Sequence, residues 1–453
     1  MDTGPTVLTM PGLLDEAFGA VGEKAADRLD LVELHPAYRA RFADGSAIDV
    51  HTDAAAMEHE VRAVCGPAAA AGYRRMRRWL TDLYRAEIQS FIGANLDSPF
   101  DLPLPDLARL AALGGFGRLG PRVARLLPDE RLRRIFSFQA LYAGLPPDRA
   151  LAAYGVIAYM DTVGGVVFPR GGMRQVGQAL ADAATAAGAC VHYGRAATGL
   201  ERCGGRVTAV RHAPAGGGPT ERLACDAVVL TPDLPAVHRL LGRAPRRPVP
   251  LRYAPSAVVL HLGVARTRPE LAHHTISFGA AWERTFREIV DGGRLMSDPS
   301  LLVTRPTATD PDLAPDGADL LYVLAPCPNT DRARIDWPRV GPAYRDELLG
   351  VLAARHPELA TLPGEIAVSR LVTPADWTAA GLGAGTPFSL AHTVAQTGPF
   401  RPRNLVRGLA NAVLAGCGTT PGVGIPPVLI SGRLAAQRIT GASGRARRVP
   451  TAP

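Results

Sequence analysis

The 453 residues are 47% hydrophobic and 20% charged, the balance of a globular chain that is neither disordered nor embedded in a bilayer, and they are too many for one simple core, so two or three subdomains are expected. The formal charge of +8 does not point to nucleic acid: Lys24 is the only lysine, and the arginines are spread without an aromatic-interleaved basic stripe, although a positive surface favours an anionic bilayer. Apolar runs such as residues 227–230 and 256–264 are far shorter than a bilayer span, and the chain opens on a polar DTGPT rather than a secretory signal, which makes the cytoplasm the expected address.

From residue 8 to 22, Met10, Leu13, Leu14, Phe18 and Val21 recur at intervals of three and four, which predicts an amphipathic helix. Extended, alternating pieces are expected at 31–34, 38–42 and 47–51. From 54 to about 96, apolar residues such as Met57, Val61, Leu80, Leu83, Tyr84, Ile88 and Phe91 are interleaved with arginines, which reads as helical. Either these helices form a cap with a solvated basic face, or part of them dips into a membrane surface. Residues 103–113 predict a helix opened by Pro105, with Asp106 in its first turn; Asp106 and Arg109, three apart, share a face. On residue type alone this is ordinary N-terminal capping with a weak surface ion pair.

An apolar strand at 166–168 is expected to turn at Pro169-Arg170-Gly171-Gly172 into a helix closed at Gly188. Strands at 189–200 and 206–212 are joined by Gly204-Gly205, a two-residue hairpin signal, and residues 226–230 read as a buried strand. Further strands are expected at 256–264, 301–304 and 320–325, with a helix near 340–355. His273-His274 invites a metal reading, but adjacent residues point apart and no other ligand accompanies them, so a structural or substrate-lining role is expected and no metal site. The cysteines Cys65, Cys190, Cys203, Cys225, Cys327 and Cys417 show no C-x-x-C pairing and are expected to be reduced, mostly buried thiols.

Residues 411–441 are the stretch around which the rest is arranged. An apolar run at 412–415 breaks at Gly416-Cys417-Gly418, crosses Thr419, Thr420, Pro421 and two more glycines, and resumes with helical spacing at Val428, Ile430, Leu434 and Ile439. Strand, glycine turn and helix in this order suit a nucleotide or flavin held against a helix N-terminus, and equally suit tight packing.

These residues resemble the pattern G-x-G-T-x-P-G-x-G-I-P of the bacterial phytoene desaturase family, FAD-dependent enzymes of carotenoid synthesis. Gly416, Gly418, Thr419, Pro421, Gly422, Gly424, Ile425 and Pro426 match it, while Thr420 and Pro427 stand where the family usually has His and Gly. GGVVFPRGGM at 164–173, DTGPT at 2–6, FSFQALYAG at 136–144, LAHHT at 271–275 and YVLAP at 322–326 extend the likeness over nearly the whole chain.

The resemblance implies an α/β fold. A glutathione-reductase-type FAD-binding domain, N-terminally incomplete, is expected with a β-sheet substrate domain and a helical membrane-associating subdomain. The expected divisions are the remainder of the FAD and substrate region at 1–53, a helical cap at 54–150, the second half of the FAD domain at 151–235, a substrate domain at 236–395, a C-terminal FAD segment at 396–441 and a disordered tail at 442–453. It further implies that FAD meets Asp2, Gly4 and Pro5, Arg170, Gly171 and Gly172, the backbone at Ala197, and the matched residues of the C-terminal turn. Asp106 and Arg109 would serve acid–base chemistry while an apolar carotenoid, entering from the membrane surface, passes hydride to the flavin. A related flavin-dependent ketolase, oxygenase or saturase, or a non-catalytic remnant unable to hold FAD, are the alternatives. The family's G-x-G-x-x-G unit precedes its D-x-G-P segment, here residues 2–5, and is absent from this sequence; a late start assignment or a truncation is the expected cause, and a chain without that turn is expected to hold FAD weakly. The number of double bonds introduced, the isomer, the electron acceptor and the oligomeric state are not encoded in these motifs.

Overall fold

A computed structural model describes residues 2–244, 247 and 249–441. The tail expected at 442–453 lies outside them. The chain is mixed α/β and is built around a seven-stranded sheet in the order Ile366–Val372, Ser256–Val264, Asp319–Cys327, Leu301–Thr304, His274–Ser277, Tyr38–Arg41 and Ala47–Val50. Every pairing is antiparallel except that of His274–Ser277 with Tyr38–Arg41. Ser256–Val264 runs β-branched and apolar on both faces because it is paired on both sides and covered above and below.

The alternation of Asp319–Cys327 shows what each face does. Leu321, Val323 and Ala325 pack with Tyr344, Leu348 and Leu352 of the helix Trp337–Arg355. Tyr322 and Leu324, one residue out of phase, face a cavity instead and are only partly buried for that reason.

The roof of that cavity is helical. Ala54–Cys65 and the 21-residue Pro67–Glu87 are divided at Gly66, and the second continues into a π-helical turn, Ile88–Ile92. Tyr73, Met76, Leu80 and Leu83 of the long helix are buried while Arg74, Arg75 and Arg78 are exposed, the division expected of an amphipathic cap helix. Leu104–Ala112, Leu119–Leu126, Glu130–Ile135 and Gly155–Thr162 complete this layer.

Val166–Pro169 is the middle strand of a small sheet, between Leu8–Thr9 and Leu31–Glu33. It leads into the helix Arg174–Ala186. Arg195–Cys203 and Arg206–Pro214 form the expected hairpin, with φ of 55° at Gly204 and 74° at Gly205, a mirror-image turn that only glycines enter freely. Val228–Leu230 pairs in parallel with Ala412–Leu414, which delivers the chain to the glycine turn and the helix Ile425–Thr440.

Four expectations are corrected. The first helix spans Gly12–Gly19 rather than starting at residue 8, because Leu8 and Thr9 pair with Val167 and Val166 and Met10 takes a φ of 58°. Residues 189–194 are not strand. The strand at 228–230 buries only Leu230, since a two-stranded ribbon leaves one face uncovered. Of the cysteines only Cys327 is buried; Cys190 and Cys203 are exposed, the first in a surface connection and the second at the end of the hairpin strand.

Candidate active site

Between the sheet and the helical roof lies a cavity of about 610 Å³. Its floor is Val259, Leu302, Tyr322 and Leu324 of the large sheet. Ile157, Met160 and Asp161 come from the helix Gly155–Thr162; Leu107 and Leu110 come from Leu104–Ala112; Glu87, Phe91 and Ile92 come from the π-helical turn. One wall is made by two irregular stretches: residues 3–7 on one side and the turn from Thr420 to Pro427, with glycines at 422 and 424, on the other. The lining is otherwise almost wholly apolar, so the few polar groups in it are conspicuous.

The glycine turn is fixed from behind by a buried cation. Arg401, 1% exposed, donates Nε to the carbonyl of Thr419 at 2.9 Å, Nη2 to that of Cys417 at 2.6 Å and Nη1 to that of Leu390 at 3.5 Å. Burial lowers its pKa to about 10, still well above neutral, so it stays charged and its donors stay strong. In front of the turn stands His392. A Cβ on Gly422 would sit 2.4 Å from its Cε1 and 2.7 Å from its Nε2, which explains why the position carries no side chain. His392 Nδ1 meets the Tyr154 hydroxyl at 3.0 Å, and that hydroxyl meets Thr397 Oγ1 at 2.6 Å. Burial drives the imidazole far towards its neutral form. The helix beyond, Ile425–Thr440, opens at Gly424 with a φ of 111° and no capping side chain; Pro426 and Pro427 carry no N–H and that of Val428 is bonded to the carbonyl of Gly424, which leaves the N–H of Ile425 uncapped.

Two carboxyl groups face the cavity. Glu87 is 5% exposed, and its Oε1 has no hydrogen-bond partner among the described residues; burial pushes its pKa well above the ordinary carboxylate value. Asp161, 3% exposed, accepts a hydrogen bond from Tyr38 Oη at 3.1 Å and from Gln139 Nε2 at 3.2 Å. Burial raises its pKa to about 7 against those two donors.

The residues singled out from sequence separate into three groups. Gly4, Pro5, Pro421, Gly422, Gly424, Ile425 and Pro426 line the cavity, as do Thr420 and Pro427. Gly416, Gly418 and Thr419 shape the turn behind it: Gly416 donates its N–H to Ser431 Oγ, a Cβ on Gly418 would meet Leu234 at 2.8 Å, and the buried Thr419 hydroxyl donates to the carbonyl of Pro402. The remainder are elsewhere. Asp2 accepts from the N–H groups of Met173 and Arg174 at 2.6 and 3.0 Å, capping the helix that follows the Pro169–Gly172 turn. In that turn Arg170 pairs with Asp30 at 3.1 Å on the surface, the N–H of Gly171 donates to Asp310, and Gly172 lies against Asp2. Ala197 is exposed on the hairpin sheet.

Asp106 and Arg109 are not in the lining either. On Leu104–Ala112 the inward face is taken by Leu107 and Leu110, which turns Asp106 towards the hydroxyl of Ser90, from which it accepts a hydrogen bond, and leaves Arg109 in solvent. His273 and His274 are buried on hydroxyls, His273 Nδ1 at 2.7 Å from Thr309 Oγ1 and His274 Nδ1 at 2.9 Å from Thr304 Oγ1. Asp161, Glu87, Tyr154, His392 and Arg401 escaped the sequence reading. Their only linear signal is a lone polar residue in an apolar context, as in AYMDTV around Asp161 and AEIQSF around Glu87.

Residues 1–440 match the family of flavin containing amine oxidoreductases. The chain is 66% identical to a phytoene dehydrogenase of Streptomyces griseus over 443 residues, covering 97% of this chain and 86% of the relative. It is 36% identical to a zeta-carotene-forming phytoene desaturase of Myxococcus xanthus over 447 residues, covering 97% and 84%. Among solved structures, putrescine oxidase bound to putrescine shares the fold with a TM-score of 0.53 at 13% identity, over 96% of this chain and 88% of that one. The chain is therefore a member of the flavin containing amine oxidoreductases, and within them of the bacterial phytoene desaturase family.

Proposed function

We propose that the protein is an FAD-dependent carotenoid desaturase of the phytoene desaturase type, which introduces double bonds into a long apolar polyene. The observation that carries this reading is the cavity itself: an apolar space of about 610 Å³ with one wall formed by residues 3–7 and the glycine-containing turn at 420–427. An uncharged hydrocarbon offers nothing to grip by charge, so its position must come from enclosure, and this lining provides enclosure.

The residues present fit a flavin on one side of that space. Gly422 lets the turn lie directly against His392, and the N–H of Ile425, ahead of Pro426 and Pro427 which carry none, is left uncapped for an acceptor atom. Of the contacts expected from sequence, we assign Gly4, Pro5, Pro421, Gly422, Gly424, Ile425 and Pro426 to holding it. Bound FAD supplies the acceptor for a hydride from the polyene. The chain's own part is to fix the turn through Arg401, to keep water out through the apolar lining, and to offer a group for the departing proton.

The mouth of the cavity suggests where the substrate comes from. Phe100, Leu104, Phe116, Val394 and Phe400 are exposed hydrophobic side chains, and Phe116, Val394 and Phe400 also line the cavity. We assign this rim to the surface of a membrane, from which a polyene enters without crossing water. No helix among the described residues is long and apolar enough to cross a membrane.

The test is a single-turnover assay of the FAD-loaded protein with phytoene in liposomes under anaerobic conditions. Loss of flavin absorbance together with a product absorbing at longer wavelength is expected. Bleaching by a small amine with none by phytoene would overturn the assignment.

A further inference from the structure

Desaturation needs a base, and the cavity holds two carboxyl groups in unlike surroundings. Glu87 has no donor on its Oε1, and burial pushes its pKa well above the ordinary carboxylate value, so no hydrogen bond to that oxygen supports the ionised form that would accept a proton. Asp161 has Tyr38 Oη on one carboxylate oxygen at 3.1 Å and Gln139 Nε2 reaching both, at 3.2 and 3.4 Å, while that same nitrogen is held by the carbonyl of Ile135 at 3.0 Å. These donors support the ionised form without neutralising it, since no arginine pairs with Asp161 among the described residues. Two buried carboxyls pushed apart in this way mark which one exchanges protons.

We propose that Asp161 is the base that takes the proton in the desaturation, and that Tyr38 and Gln139 are its positioning residues. This rests on the desaturase reading above. One carbon of the polyene gives up a hydride to the flavin; the C–H bond of the adjacent carbon breaks towards a carboxylate oxygen of Asp161; its electron pair closes the new carbon–carbon double bond, and the carboxylate becomes a carboxylic acid that returns its proton to water before the next turnover. Burial of Asp161 against its two donors sets a titration at about 7, where a base works best at neutral pH. The groups facing it do not titrate there. Burial raises Tyr38, Tyr142 and Tyr322 above the ordinary tyrosine value, and lowers His274, whose ring lies 5.8 Å from that of Tyr38, to about 3. Arg77 donates to the carbonyl of the next residue, Thr162, at 3.5 Å and to that of Thr52 at 2.9 Å, and does not pair with the Asp161 carboxylate.

The experiment combines turnover and infrared titration of the FAD-loaded protein. In the wild type, kcat/KM should fall below an acid limb with a midpoint near 7, and a protonated-carboxyl stretch should grow in with the same midpoint. Asp161→Asn should remove that stretch and lower kcat by roughly 100- to 10,000-fold, the usual worth of general acid–base assistance, with flavin absorbance unchanged. Tyr38→Phe deletes one donor to the carboxylate, and should move both midpoints upwards by about one pH unit. Turnover of Asp161→Asn within twofold of the wild type, or unmoved midpoints in Tyr38→Phe, overturns the proposal and leaves the desaturase reading intact. A wild type that makes no product overturns that reading and the proposal with it.

Discussion

Substituting Gly422 by alanine is the sharpest probe of how the cofactor wall is built. The added methyl would lie 2.4 Å from His392 Cε1 and 2.7 Å from Nε2, about 1 Å inside ordinary contact, so one partner must move. His392 has little freedom: its N–H is bonded to the carbonyl of Ala143 at 2.8 Å, Nδ1 is tied to Tyr154, and Tyr154 to Thr397, whose hydroxyl also donates to the carbonyl of Thr393 at 2.8 Å. The turn must therefore shift into the space assigned to the flavin. Overpacking of this kind costs about 1–3 kcal/mol, and if most of it falls on the cofactor the dissociation constant for FAD should rise roughly tenfold or more. Fluorescence titration of the apoprotein with FAD measures this directly. His392→Ala removes the clash but not the strain of a side chain at a φ of 155°, so Gly422→Ala combined with it should regain part of the affinity, a coupling of at least about 1 kcal/mol in a double-mutant cycle. Strict additivity, or a single Gly422→Ala within twofold of the parent, would show that the turn does not press on both His392 and the flavin.

Three further outcomes are expected. Asp106→Asn should leave turnover within about twofold, because the side chain lies outside the cavity lining and asparagine can still accept from Ser90, whereas a role in proton transfer predicts at least a ~100-fold loss. Binding to anionic vesicles, measured by co-sedimentation, should weaken with salt as screening shortens to about 10 Å at ~0.1 M, but a fraction should persist on neutral vesicles and be lost when Phe100, which is 96% exposed, becomes serine; complete release by salt would remove the rim from the interface. Asp161 also predicts a stability slope: its folded pKa is raised from 3.8 to about 7, so its contribution is greatest below the unfolded value and is lost as pH rises towards 7. At 1.36 kcal/mol per unit this amounts to about 4 kcal/mol, and the melting temperature of Asp161→Asn should exceed or approach that of the parent more closely at pH 8 than at pH 5; an equal difference at both would contradict the shift.

The legible part of this protein is its backbone. Gly204-Gly205, Pro169 to Gly172 and Gly416 to Pro427 announce themselves because unusual φ values and close approaches restrict residue type locally, and a local restriction survives in the linear sequence. The large sheet was equally readable where strands are covered on both faces. Errors came where a long-range partner decided the outcome, as at Leu8 and Thr9, whose helical spacing yields to pairing with residues some 160 positions away. Side-chain chemistry in the cavity was illegible for the same reason. Tyr38 and Asp161 are 123 residues apart in sequence, and Arg401 serves carbonyls 16 and 18 residues on, so no spacing rule joins them.

The contrast between Asp106 and Asp161 shows how such a site should be read. Both are single carboxylates on helices that border the cavity. Asp106 is in the first turn of its helix, where the positive end of the helix dipole and a serine hydroxyl already account for it, and its neighbours at the inward positions are leucines. Asp161 stands in the last turn of Gly155–Thr162, where a carboxylate meets the unfavourable end of the helix dipole, and it is buried without a cation. Nothing in folding favours an aspartate there, since an apolar residue would suit both the helix and the cavity better. A group that is expensive where it stands, and that two long-range donors keep able to ionise, is better explained by the proton it can accept than by the structure it supports.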